Sequence, residues 1–170
     1  NPSGRLDLQP EETEMLDFLL AGYHLGIFGE RPFFALRLHT INYLDGLIRR
    51  RSASGEPFPE SRQRSQNTEL VIKALYENRI DLLTHPGDKG RFDLSAIAKA
   101  CEETGTLMEI STWHDAPTGR ELAMLAKTKA EFAISSDAHT PDRVGTFLPG
   151  LRRALKAGID PARIRNIEEQ

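Results

Sequence analysis

Two kinds of apolar pattern alternate along the chain. Short dense runs end in polar residues: Asp17-Phe-Leu-Leu-Ala-Gly-Tyr-His24, Ile80-Asp-Leu-Leu-Thr-His85, Leu107-Met-Glu-Ile-Ser-Thr112 and Phe132-Ala-Ile-Ser-Ser136. Their length, with residues two apart sharing a side, predicts buried strands. Between them, apolar residues recur three and four apart, the helical spacing. Phe34, Leu38, Ile41, Leu44 and Ile48 make one such face, widened by Phe33, Leu36, Tyr43 and Leu47, with Ala35, His39, Asn42 and Gly46 on the other side. Leu70/Val71/Ala74/Leu75, Leu94/Ile97/Ala98/Cys101, Leu122/Leu125/Ala126 and Leu148/Leu151/Leu155 mark further helices.

Local signals punctuate these elements. Pro10 with Glu11 and Glu12 opens a short helix, and Glu30-Arg31-Pro32 opens the long one that Arg49, Arg50 and Arg51 close. Residues 52–64 hold prolines, a glycine and serines and read as an irregular loop, after which Ser65 or Asn67 caps the next helix. Asp93 starts a helix that Gly105 stops, and Thr118-Gly-Arg-Glu121 is a capping box. Thr140-Pro141 begins a turn of helix, and Asp160-Pro161 with residues 164–167 read as a short helical turn and a fifth strand. Strands alternating with helices imply parallel pairing through crossovers. Four or five strands amount to about half of a closed α/β barrel, or to a modest open sheet.

Composition narrows the class. At 170 residues the chain forms one domain or part of a larger one, and a net charge of −3 exerts no pull toward nucleic acid or anionic membrane. No apolar run reaches the roughly 20 residues of a membrane span. The single cysteine, Cys101, lies in a helical apolar stripe as an inert thiol and fits a reducing cytoplasm. The chain begins Asn1-Pro-Ser-Gly4 without methionine and reads as cut from something longer.

The chemistry concentrates at strand ends. In both architectures, functional groups collect where parallel strands terminate. His24 and His85 each close a run, and Asp137 and His139, two apart beyond the fourth, are expected to leave the strand tip on one side together. His114 follows Trp113 just past the third run, where substrate contact and plain packing are both open, and His39 falls on a polar helix face. Imidazole with carboxylate suits zinc, manganese or iron better than magnesium or calcium. Clustered ions would lower the pKa of water and clamp a phosphate, so metal-activated hydrolysis is the first mechanism to consider. Hydrogen-bonded histidines at a sheet edge are the plainer alternative. Lys89 and Arg91, just beyond His85, are placed to neutralise a substrate phosphate. Arg49, Arg50, Arg51, Arg62 and Arg64 flank the loop as a solvated, Glu-diluted basic group.

His24 in Ala-Gly-Tyr-His, His85 in Thr-His-Pro-Gly, Glu109 in Met-Glu-Ile and Asp137 with His139 in Ser-Ser-Asp-Ala-His resemble the later motifs of the PHP (polymerase and histidinol phosphatase) domain, closest to the YcdX-like phosphoesterases. The resemblance covers the chain from about Leu6 onward, apart from an inserted helix and loop around residues 32–64. It implies a single PHP-type domain, the C-terminal part of a distorted (β/α)7 barrel with parallel strands alternating with helices. It further implies up to three divalent ions (zinc, manganese or iron), a small phosphorylated substrate and hydrolysis of its phosphate ester. His24 and His85 would share one ion, Asp137 would hold a second and His139 a third, while Glu109 is left a structural hydrogen-bonding role. The family's opening His-x-His, two further histidines and bridging glutamate have no counterpart here, and Ser111 stands where the family often has asparagine. The chain is therefore expected to be an incomplete phosphoesterase, inactive alone, that self-associates or pairs with the missing N-terminal part. A catalytically silent PHP-like interaction module and the nuclease module of a DNA polymerase are the alternatives.

Overall fold

Strands β1 (Leu20–Gly22), β2 (Leu82–Thr84), β3 (Leu107–Ser111) and β4 (Phe132–Ser135) form one all-parallel sheet in chain order. The computed structural model describes residues 5–24, 33, 36–37, 40–44 and 62–167. Each strand is shorter than the apolar run that signals it, because the polar ends bend away to form loops. Register aligns Gly22 with Thr84 and Ser111 with Ser135, so the carboxyl tips of all four strands lie along one border.

The connecting elements are a single turn α1 (Pro10–Thr13), α2 (Arg62–Glu77), α3 (Leu94–Thr104), α4 (Gly119–Leu125) and α5 (Leu148–Lys156). The capping signals act as read. The Asp93 carboxylate accepts from the Ser95 and Ala96 amides, Gly105 ends α3 at φ 74°, and Thr118 and Glu121 satisfy each other's backbone amides. Each helix from α2 to α5 packs on the next, and α5 lies on β3 and β4. The core joins Ile97 and Cys101 of α3, Leu122 and Leu125 of α4, and Met108, Ile110, Phe132 and Ile134 of the sheet. Burial pushes the Cys101 thiol up to about 12, which makes it the inert packing residue expected. No helix among the described residues is long and apolar enough to cross a membrane.

Three expectations need correction. Helix α2 begins at Arg62, inside the stretch read as loop, because no proline or glycine follows Pro59 to stop it. On the preceding helical stretch, Asn42 is buried at 2 % exposure while Ile41 and Leu44 stand 39 % and 50 % exposed, the reverse of the expected faces. The reason is a polar network. Asn42 Nδ2 donates to the Tyr23 hydroxyl (2.8 Å), and Asn67 Nδ2 donates back to Asn42 Oδ1 (2.9 Å), so the buried amides are satisfied. Phe34, Leu38, Leu47, Ile48, His39 and Arg49–Arg51 of that stretch lie outside the described residues. The third correction concerns the fifth strand, which reduces to one bridge between Ile164 and Phe132, continued by the Asn166 side chain. Its Nδ2 donates to the Ile134 carbonyl (2.7 Å) and its Oδ1 accepts from the Ile134 amide (2.9 Å).

Helix α5 turns its small residues inward. Gly150 and Ala154 are buried, whereas Leu148 and Leu155 are exposed. A Cβ on Gly150 would meet Ile134 Cγ2 at 2.7 Å and Thr112 Cγ2 at 3.1 Å, so only glycine lets the helix approach the β3–β4 tips this closely.

Candidate metal centre

His85, His114 and Asp137 converge beyond the carboxyl ends of β2, β3 and β4, with one donor atom from each inside a 4.8 Å group. Each strand tip is shaped to deliver its residue. His85 adopts a left-handed backbone (φ 30°), held by its amide donating to the Glu109 carboxylate and by its carbonyl accepting from Asp88 N at 3.1 Å. His114 is set by Ser111, whose Oγ accepts from the Trp113 and His114 amides at 3.1 and 3.0 Å. Arg153 of α5 pins the same loop by donating to the carbonyls of Ser111, His114 and Pro117.

Asp137 is also left-handed, at φ 44°. That turn corrects the expectation that Asp137 and His139 leave an extended tip side by side, since the period-two alternation ends with β4 at Ser135. The Asp137 carboxylate faces His114, 3.1 Å from Nε2, while the His139 ring stacks on Trp113 with centroids 4.6 Å apart. His139 Nδ1 lies 2.8 Å from the Asp137 carbonyl, an acceptor, so Nδ1 donates there.

The two faces of His114 decide what the group can hold. Nδ1 lies 3.3 Å from Asp88 Oδ2 and Nε2 lies 3.1 Å from Asp137 Oδ2. A neutral imidazole has one N–H for these two carboxylate oxygens, so one ring nitrogen turns its lone pair toward a carboxylate. Only a second proton or a cation between them relieves that. Donors around a tetrahedral zinc lie about 3.3 Å apart, so Nε2 and Oδ2 already stand at ligand spacing. A carboxylate behind the distal ring nitrogen is the usual support of a metal-bound histidine.

Electrostatics agree. Burial lowers the His85 pKa to about 4, helped by His114 and His24, so the imidazole stays neutral as a ligand must. Burial alone would raise Asp88, but the Lys89 ammonium and the His114 and His85 rings outweigh it and hold its carboxyl below the usual range. Burial pushes Glu109 up, against its hydrogen bonds from the Ser135 hydroxyl and the His85 amide.

His24 flanks the group at the tip of β1, exposed, its ring edge-on to His85 at 5.1 Å. Gly22 makes the room: a Cβ there would lie 3.1 Å from His24 Nε2 and 3.3 Å from His85 Cε1. Of the residues assigned to metal, His85 and Asp137 thus belong to the tight group, while His24 and His139 border it. His114, open between substrate contact and packing in the sequence, joins the group itself. Lys89 ion-pairs with Asp88, and the Arg91 carbonyl is anchored by Asn67 Nδ2 at 3.0 Å. Asp88 and Ser135 went unread, although Asp88 sits in the Pro86-Gly87 turn directly beyond His85.

No family model matches the chain. Curated relatives do. It is 28% identical over 174 residues to a probable phosphatase of Thermoanaerobacter sp. (strain X514), covering 97% of this chain and 70% of that protein. It is 27% identical over 172 residues to a probable phosphatase of Syntrophotalea carbinolica, covering 96% and 59%. A probable phosphatase of Shewanella sp. (strain ANA-3) is 27% identical over 157 residues, covering 86% of this chain and 50% of its own length.

Two imidazoles and a carboxylate thus gather at one border, with Glu109 holding the His85 backbone and the Asp88–Lys89 pair beside His114.

Proposed function

We propose that this chain is part of a metal-dependent phosphoesterase of the PHP type, with its sheet a section of the larger barrel. The carrying observation is His114 between Asp88 and Asp137, an arrangement that is balanced when a cation lies between Nε2 and the Asp137 carboxylate. The relatives named probable phosphatases support the choice of reaction. His85, His114 and Asp137 would hold the ion, with His24 and His139 at its rim. A zinc, manganese or iron ion there supplies a Lewis acid that lowers the pKa of water and offsets phosphate charge.

The chain's own residues do the rest. Asp88 lies 3.3 Å from His114 Nδ1 as a counter-charge, and Glu109 bridges the His85 amide and the Ser135 hydroxyl, tying the tips of β2 and β4 together. Lys89, now on Asp88, is a short reach from a phosphate bound at the group.

Elemental analysis of the purified protein after dialysis tests the reading. Near-stoichiometric zinc, manganese or iron, lost on His114→Ala, is the expected result. Absence of bound metal in the wild type after manganese or zinc loading would favour the silent interaction module. With p-nitrophenyl phosphate and manganese, the chain alone should turn over slowly or not at all, since the resemblance leaves part of the ligand set unsupplied.

A further inference from the structure

Most arginines near the sheet are committed. Arg79 pairs with Asp81, Arg64 with Asp93, Arg165 with Glu131 and Arg153 with Asp115, and Arg163 donates to the carbonyls of Leu125, Ala126 and Ala130. Arg143 differs. It is half-buried, lies over the Trp113 ring at 4.8 Å and gives one Nη2 hydrogen to the Thr112 carbonyl at 3.2 Å. Among the described residues it meets no carboxylate, and its Nε–H is covered without an acceptor. A guanidinium drawn partly out of water without a counter-ion is costly unless an anion arrives to share it.

Its position says which anion. The one-turn helix Pro141–Arg143 follows directly from Asp137 and His139, and the side chain folds back onto the β3 tip. Trp113, beneath the guanidinium, precedes His114 in the chain and carries the His139 ring. Trp113 links the two, since the next residue in the chain is His114 and the Trp113 ring stacks on His139, so Arg143 stands on the same strand-end border as the His85–His114–Asp137 group. With Nε covered and one Nη2 hydrogen used, the Nη1–Nη2 edge remains. That edge is a fork with two parallel donors, matched to two oxygens of one phosphate.

On the proposed phosphoesterase reading, we infer that Arg143 grips the substrate phosphate at two oxygens while the metal group takes a third, so the site accepts phosphomonoesters and disfavours diesters. A monoester has three non-bridging oxygens and can satisfy both partners. A diester has two and must forfeit one contact. The stack on Trp113 holds the fork in place, since it removes rotamer freedom that a lone arginine would lose on binding.

Calorimetric titration of the metal-loaded chain with inorganic phosphate and with dimethyl phosphate tests this, with metal content and thermal melting read on the same samples. Wild type should bind phosphate roughly tenfold or more tightly than dimethyl phosphate. Arg143→Gln should lose about that factor for phosphate while keeping its metal and its melting point. Arg143→Lys, which keeps charge but not the fork, should lose most of the preference over dimethyl phosphate. Phosphate affinity within about twofold of wild type in Arg143→Gln, or an unchanged preference in Arg143→Lys, overturns the inference and leaves the metal centre standing. Protein that holds no metal, yet loses phosphate affinity on Arg143→Gln, keeps the anion grip and sinks the metal centre.

Discussion

Strands β4 and β1 border the same sheet and are finished differently. β4 is buried along Phe132, Ala133 and Ile134, and the Asn166 amide and the Arg165 amide take up its outer backbone groups. Its tip delivers Asp137 into the tight group. β1 has Leu20 at 52 % exposure, with Phe18 and Leu16 also exposed beside it, and among the described residues no strand pairs with its outer side. Its tip carries His24, exposed and outside the 4.8 Å group. Ligand geometry thus follows backbone support: donors converge where both neighbours of a strand are in place, and stand loose where one is not.

The largest effect should come from the supported side. His114→Ala or Asp137→Asn should lower metal affinity more than the roughly 10–100-fold that loss of an orienting partner costs, as read by competition with a chromogenic chelator. His24→Ala should cost about tenfold or less; equal losses at His24 and Asp137 would erase the contrast between the borders.

Next comes the seal itself. Asn166→Ala removes both hydrogen bonds to Ile134 and should cost about 1–3 kcal/mol in urea unfolding. A change below about 0.5 kcal/mol would mean that β4 does not depend on its border.

Acid should act through the centre of the sheet. Because burial lowers the His85 pKa from 6.5 to about 4, the unfolded chain binds a proton over that range and the folded one does not. The metal-free protein is thus fully stabilised by this group above about pH 6.5 and loses that contribution as pH falls toward about 4. Chemical denaturation at successive pH values should show the decline in wild type and a flatter profile in His85→Gln.

The smallest effect is expected at the open border. Exposed Leu16, Phe18 and Leu20, beside a strand that among the described residues is paired on one side only, favour self-association or pairing with further chain. Light scattering after size exclusion should show a concentration-dependent rise in mass that Leu20→Lys reduces; a clean monomer at high concentration would refute it.

Element order was legible because its signals are local. The Asp93 cap, the Gly105 stop and the Thr118–Glu121 box act within a turn of chain, and strand runs advertise burial by composition alone. Facing was less legible. Helical spacing marks a stripe around Ile41 and Leu44 but not whether that stripe or Asn42 meets the protein, and here reciprocal amide bonds with Asn67 carry Asn42 inward. Likewise, Leu148 and Leu155 signal α5, yet Gly150 makes its contact.

The alternation of strands and helices, and the fall of histidines and an Asp-x-His pair at strand ends, are written in neighbouring residues. Which of those donors meet is set by contacts between distant segments. The left-handed turns at His85 and Asp137, and the Ser111 hydrogen bonds that aim His114, bring together side chains far apart in sequence. Such convergence depends on register across strands and on backbone turns held from outside the strand, and no local pattern encodes either.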